Sequence, residues 1–181
     1  MADKPFDMKK EILEWIKILA AAAAIALFTN ACLIANSTVP SDSMEKTIMT
    51  GDRIVGSRLS YRFGREPERG DIVIFDHKAE PGKDKTRLVK RVIGLPGETV
   101  DILGSRIYID GAAEPLAEPY LPEEMDSEDY HFEVPEGYYL MLGDNRNHSA
   151  DARGWGDPYV PKKEIVAKVV FRYYPSVGKL R

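Results

Sequence analysis

The chain has one cysteine, Cys32, among 181 residues. That excludes an internal disulfide and a cysteine-based zinc site. Histidine is scarce too. His77, His131 and His148 stand at no ligand-like spacing, and there is no H-E-x-x-H pair. Positive charge is not in excess: 25 Lys and Arg against 29 Asp and Glu leave a formal net charge of -4. Such a balance carries no basic footprint for nucleic acid. No internal repeat and no low-complexity segment is present.

Charge itself disappears between Lys17 and Asp42. A helix over Ile18 to Ala35 would measure about 27 Å at ~1.5 Å per residue. That is slightly short of the ~30 Å hydrocarbon core of a bilayer. Extension back through Ile12, Leu13, Trp15 and Ile16 closes the gap. Trp15 and Lys17 then sit at headgroup level. A buried helix and a cleavable signal peptide share this pattern, but the span length favours a retained anchor. Lys4, Lys9, Lys10 and Lys17 precede it and argue for an inside N-terminus. Cys32 within the run reads as a small hydrophobe. Of the residues before it, only Ala31 suits a lipoprotein processing site. The expected division is 1–17 cytoplasmic, 18–39 anchor and short linker, and 40–181 an extracytoplasmic β-rich domain.

Beyond Pro40 the text alternates and is cut by Gly and Pro. Strands are expected around Arg53–Gly56, Ile72–Phe75, Arg87–Ile93, Tyr138–Leu142 and Ile165–Tyr174. Glu98–Leu103 and Arg106–Ile109 flank Gly104-Ser105 as a hairpin. The fold class is mainly β, an antiparallel barrel or sandwich behind one N-terminal transmembrane helix. Two stretches break the rhythm. Lys78–Lys85 is charged, and 114–136 is acidic with Pro115, Pro119, Pro122 and Pro135. Both read as solvated loops.

Three segments carry chemistry. In P-S-D-S-M-E-K-T, Pro40 to Thr47, Ser41 and Ser43 are two apart and share a face of an extended chain. Alone, the segment also fits a polar linker. In T-R-L-V-K-R-V-I-G-L-P-G-E, from Thr86, strand alternation sets Lys90 between Leu88 and Val92 on one face. An amine buried among aliphatic groups loses charge and becomes a usable base. A solvated lysine on a strand is the competing reading. The third segment, Gly143 to Gly156, is a turn-rich loop in which Ser149, Asp151 and Arg153 alternate. A Ser-His-Asp arrangement is open in principle, with His148 beside Ser149 and Asp151.

Taken in order behind an apolar span, these segments resemble the boxes of bacterial type I signal peptidases. The similarity covers most of residues 38–156, and the single anchor resembles Gram-positive-type members. The resemblance implies a serine endopeptidase that removes signal peptides from exported preproteins at the cell membrane, beside the bilayer and the secretion translocon, without metal or cofactor. It makes Ser43 the nucleophile and Lys90 its base. It implies that Ser41 and a backbone N–H form the oxyanion hole and that Ser149 orients the lysine amine. Met44, Arg91, Asp144, Asp151 and Arg153 fall at supporting positions, including an Asp–Arg ion pair. Lys46, Ile48 and Ala152 depart from residues common in the family. A self-cleaving Ser-Lys repressor would need an N-terminal DNA-binding domain where an apolar run stands. A non-enzymatic anchored β-domain would leave the Ser/Lys/Ser spacing a coincidence. Tyr61 and Phe63, alternating with Arg62, fit either interface contact or ordinary packing.

Overall fold

In the computed structural model the described residues are 8–78, 82 and 84–180. Residues 1–7 of the polar N-terminal segment, and 79–81 and 83 of the charged loop, lie outside them.

The first part of the uncharged stretch, with the charged residues ahead of it, forms helix α1 (Met8–Cys32). Its 25 residues span about 37 Å at ~1.5 Å each. Met8–Thr29 is long and apolar enough to cross a membrane and is unburied. The helix starts earlier than Ile18, taking in Ile12, Leu13, Trp15 and Ile16. It also stops earlier than the anchor and linker read at 18–39. Two residues on, β1 (Ile34–Thr38) begins. Ala35 and Val39 supply the reason: both bury in the core and pull the chain into the sheet. The segment read as linker is therefore a strand, aligned from Ile34↔Ser57 to Thr38↔Arg53 with β2 (Arg53–Ser57).

The further strands are β3 (Ile72–His77), β4 (Thr86–Gly94), β5 (Thr99–Leu103), β6 (Arg106–Ile109) and β7 (Tyr130–Glu133). Then come β8 (Tyr138–Leu142), β9 (Tyr159–Pro161), β10 (Ile165–Tyr174) and β11 (Gly178–Lys179). The larger sheet runs β1-β2-β10-β3-β4-β8-β9, with β11 on β10, and the smaller runs β6-β5-β7. Every pairing is antiparallel. The expected hairpin is β5–β6. Its turn residues Gly104 and Ser105 have φ of 54° and 64°, the twist a two-residue hairpin needs.

Strand β4 is central and shows why alternation matters. Val89 packs into one apolar cluster, Ile93 into a second, and Leu88 and Val92 into a third. The acidic stretch is not simply solvated. Met125 is buried beneath the small sheet, Leu116 packs against it, and Tyr130–Glu133 is a strand. Tyr61 folds inward, its hydroxyl donating to Asp71 at 2.8 Å, whereas Phe63 is 92% exposed.

Candidate active site

Ser43 sits in a turn that two hydrophobes fasten down. Met44 and Ile48 are four apart, both fully buried, and the Ile48 N–H donates to the Met44 carbonyl at 2.8 Å. Lys46 thus faces solvent in a turn whose apolar neighbours set its shape, and Ile48 belongs to the core. Ser43 itself is 6% exposed. Ser41 lies on the same side, its Oγ 3.3 Å from Ser43 Oγ.

Lys90 is 3% exposed, on the β4 face of Leu88 and Val92. Burial lowers its pKa to about 8, although Asp151, Asp144 and Asp42 pull it upward. Desolvation outweighs three carboxylates because it disfavours the charged form of the amine itself. Ser41, Ser43, Leu88 and Lys90 line one small cleft, with Val39 and Pro40 from the Ser43 side.

The loop after β8 brings in the rest. Arg91 pairs with Leu142, so one further step along the register sets Lys90 opposite Gly143. A Cβ at Gly143 would overlap Ser149 Oγ and the Ser43 carbonyl oxygen, and would meet Ser149 Cβ at 2.7 Å. Bare backbone there lets Ser43, Ser149 and the Lys90 strand converge. Gly143→Ala should therefore cut turnover about 100-fold, the scale of a small misplacement of reacting groups. Steady-state rates on a precursor peptide check this; an alanine variant at wild-type rate would mean the crowding is harmless. Ser149 Oγ is buried and, among the described residues, has no hydrogen-bond partner.

Charged supports hold this convergence. Arg91 forks Asp144 at 2.8 and 2.6 Å, with both side chains buried, and also donates to the Gly70 carbonyl at 2.7 Å. Asp144 accepts the Thr47 hydroxyl at 2.6 Å, which ties the serine turn to the loop. The Asn145 N–H donates to the Ser43 carbonyl at 3.1 Å, and Asn145 Nδ2 to the Asp42 carbonyl at 3.1 Å. Arg153 grips Asp151 at 2.9 Å through both Nε and Nη2, and Asp151 accepts the Gly143 N–H at 3.1 Å. Forked pairs of this kind are strong and directional. Beside the Arg91–Asp144 pair, a further Asp–Arg pair, Arg153–Asp151, supports the loop.

A His148 triad does not form. His148 is exposed, Ser149 Oγ makes no hydrogen bond, and Asp151 is committed to Arg153 and Gly143. Sequence reasoning passed over Gly143, Asn145 and Thr47 as site residues. The Gly-Asp-Asn run is a signal for the first two, and Thr47 closes the segment that holds Ser41 and Ser43.

A family model described as signal peptidase, peptidase S26, matches residues 12–174. A signal peptidase I of Leptolyngbya laminosa is 38% identical, over 91% of this chain and 80% of its own length. Signal peptidase IB of Staphylococcus aureus (strain COL) is 35% identical, over 93% of this chain and 92% of its own. A crystal structure of a signal peptidase I from Enterococcus faecalis V583 is 33% identical. It covers 57% of this chain and 97% of the other, at a TM-score of 0.47.

Proposed function

The chain belongs to the signal peptidase family, peptidase S26, and from that membership we propose a serine endopeptidase that removes signal peptides from exported preproteins through a Ser43–Lys90 dyad. One observation carries the dyad. A buried amine with a pKa near 8 lines the same cleft as a serine hydroxyl.

In the reaction, neutral Lys90 takes the Ser43 proton as Oγ attacks the scissile carbonyl. The tetrahedral oxyanion is held by the Ser41 hydroxyl and the Ser43 N–H. Lys90 then gives its proton to the leaving amine, and an acyl-enzyme remains. In the second half Lys90 activates water. The family resemblance assigns Ser149 to positioning the Lys90 amine; its hydroxyl is buried against Gly143, the register neighbour of Lys90, and makes no hydrogen bond among the described residues. The substrate lies extended between the Val39–Ser43 and Arg87–Lys90 segments, with small side chains at the first and third positions before the cut.

Helix α1 is the anchor in this proposal, with the N-terminus cytoplasmic and the β domain on the outer face. Lys4, Lys9, Lys10 and Lys17, gathered before and in the first turns of the helix, favour that orientation. The bilayer and the secretion translocon are the expected surroundings of the substrate.

The pH dependence tests the base. Only the unprotonated amine works, so kcat/KM should rise with pH through about 8 and level off above it. Below that point the loss is about tenfold per unit, leaving about 1% near pH 6. A flat acid limb would assign proton abstraction to another group.

A further inference from the structure

The acidic excursion meets the catalytic loop at Asn147, through Glu123 and the Glu124 carbonyl, and two of its side chains, Glu118 and Tyr120, reach the arginines that support the site. Glu118 forks Arg146 at 2.9 and 2.5 Å, and both side chains are nearly dry. Arg146 Nε in turn donates to the Gly143 carbonyl at 2.9 Å. Tyr120 closes a second branch. Its hydroxyl donates to Glu118 Oε1 at 2.6 Å, and its ring lies under the Arg91 guanidinium, 3.8 Å from Cζ to the centroid. Arg91 holds Asp144, and Asp144 holds Thr47 of the serine turn. Two arginines that support Gly143 and Asp144 therefore converge on one tyrosine–glutamate pair.

We propose that Glu118 and Tyr120 are positioning residues: a strap outside the cleft that keeps the 143–149 loop and the Ser43 turn in register for catalysis. This rests on the Ser43–Lys90 reading. Among the described residues, none from 114 to 126 lines the Ser43–Lys90 cleft, so the strap does not touch substrate there. It acts on the backbone that substrate-facing groups stand on. Gly143 has no slack, with Ser149 and the Ser43 carbonyl packed against it. A shift of its carbonyl moves both. The strap also has a reason to be charged. Arg146 is buried, and burial of a guanidinium requires a carboxylate fork to offset lost water.

The strap should therefore govern turnover and leave substrate affinity alone. Full-length wild type, Glu118→Gln, Tyr120→Phe and Ser43→Ala are assayed in detergent micelles with one small-x-small precursor peptide. Thermal midpoints are recorded alongside. Glu118→Gln keeps the side-chain shape and removes the charge under Arg146. Its kcat should fall at least about tenfold, with KM within about twofold. Tyr120→Phe keeps the ring beneath Arg91 and removes the hydroxyl bond. Its kcat should fall about threefold, again at constant KM. That variant still reads the strap if Glu118→Gln does not fold. A lower thermal midpoint with wild-type kcat in the folded enzyme would overturn the proposal, as would a loss expressed in KM alone. Ser43→Ala separates the two readings. Turnover retained there sinks the dyad, whereas wild-type kcat in the strap variants with a dead Ser43→Ala sinks only the strap.

Discussion

Replacing Lys90 with arginine leaves a folded protein that cleaves its precursor about 10,000-fold more slowly, the upper range for loss of a positioned base. The reason is the resting charge. A guanidinium stays protonated at any pH the protein survives, and the cleft that lowers the Lys90 pKa to about 8 cannot strip it. Turnover would be measured by single-turnover cleavage of a precursor, beside circular dichroism to verify folding. An arginine variant within tenfold of wild type would move the base elsewhere. The same residue makes a stability prediction of opposite sign. The amine titrates near 8 in the folded chain against 10.5 when solvated. Between those values the unfolded chain carries a proton that the folded one lacks, so stability rises with pH across that window. Below about 8 both states are protonated and the full penalty is present, about 3 kcal/mol from the shift. Lys90→Met should therefore be inactive yet more stable at neutral pH, by up to about 3 kcal/mol, with the gain fading toward pH 10.5. Denaturant melts of the two proteins across that range would show it.

Ser43→Ala has a still larger expected effect, about 100,000-fold in turnover, as for a nucleophile whose partners cannot substitute for it. Little else should change. The hydroxyl is 3.3 Å from Ser41 Oγ, and the turn is held by Met44, Ile48, Thr47 and Asn145, not by Ser43 Oγ. Precursor should still bind, and the thermal midpoint should stay within a few degrees. Residual cleavage above 1% of wild type would point to a different nucleophile.

How far these features were legible depended on whether the signal was local. The face that Lys90 shares with Leu88 and Val92 follows from alternation, though its burial does not, and the β5–β6 hairpin follows from Gly104-Ser105; both are written in consecutive residues. Strand β7 had the same signature, with Phe132 buried between exposed His131 and Glu133. The surrounding prolines and acids drowned it. Strand β1 divides in the sequence between the apolar run, which holds Ile34 and Ala35, and a polar linker, which holds Asn36, Ser37 and Thr38; they become one strand only through partners some 20 residues away in β2. The Glu118–Arg146 fork joins residues 28 apart, and Arg91–Asp144 joins residues 53 apart. No window along the chain shows such pairs, which is why an excursion that looks soluble turns out to bear on the site. The shape of the serine turn depends on Met44 and Ile48 reaching the core, whose other members lie far along the chain.

The absence of slack between α1 and β1 has a mechanical corollary. A hydrolase on a flexible leash samples many heights above the lipid, and it can hunt for its bond. Here the helix runs into five strand residues paired with β2, roughly 17 Å of stiff chain at ~3.3 Å per residue. On the anchored reading, the protein works as a gauge. Its cut would then fall at one elevation, and a preprotein whose scissile bond emerged too early or too late from its own apolar segment would present the wrong peptide to the blade.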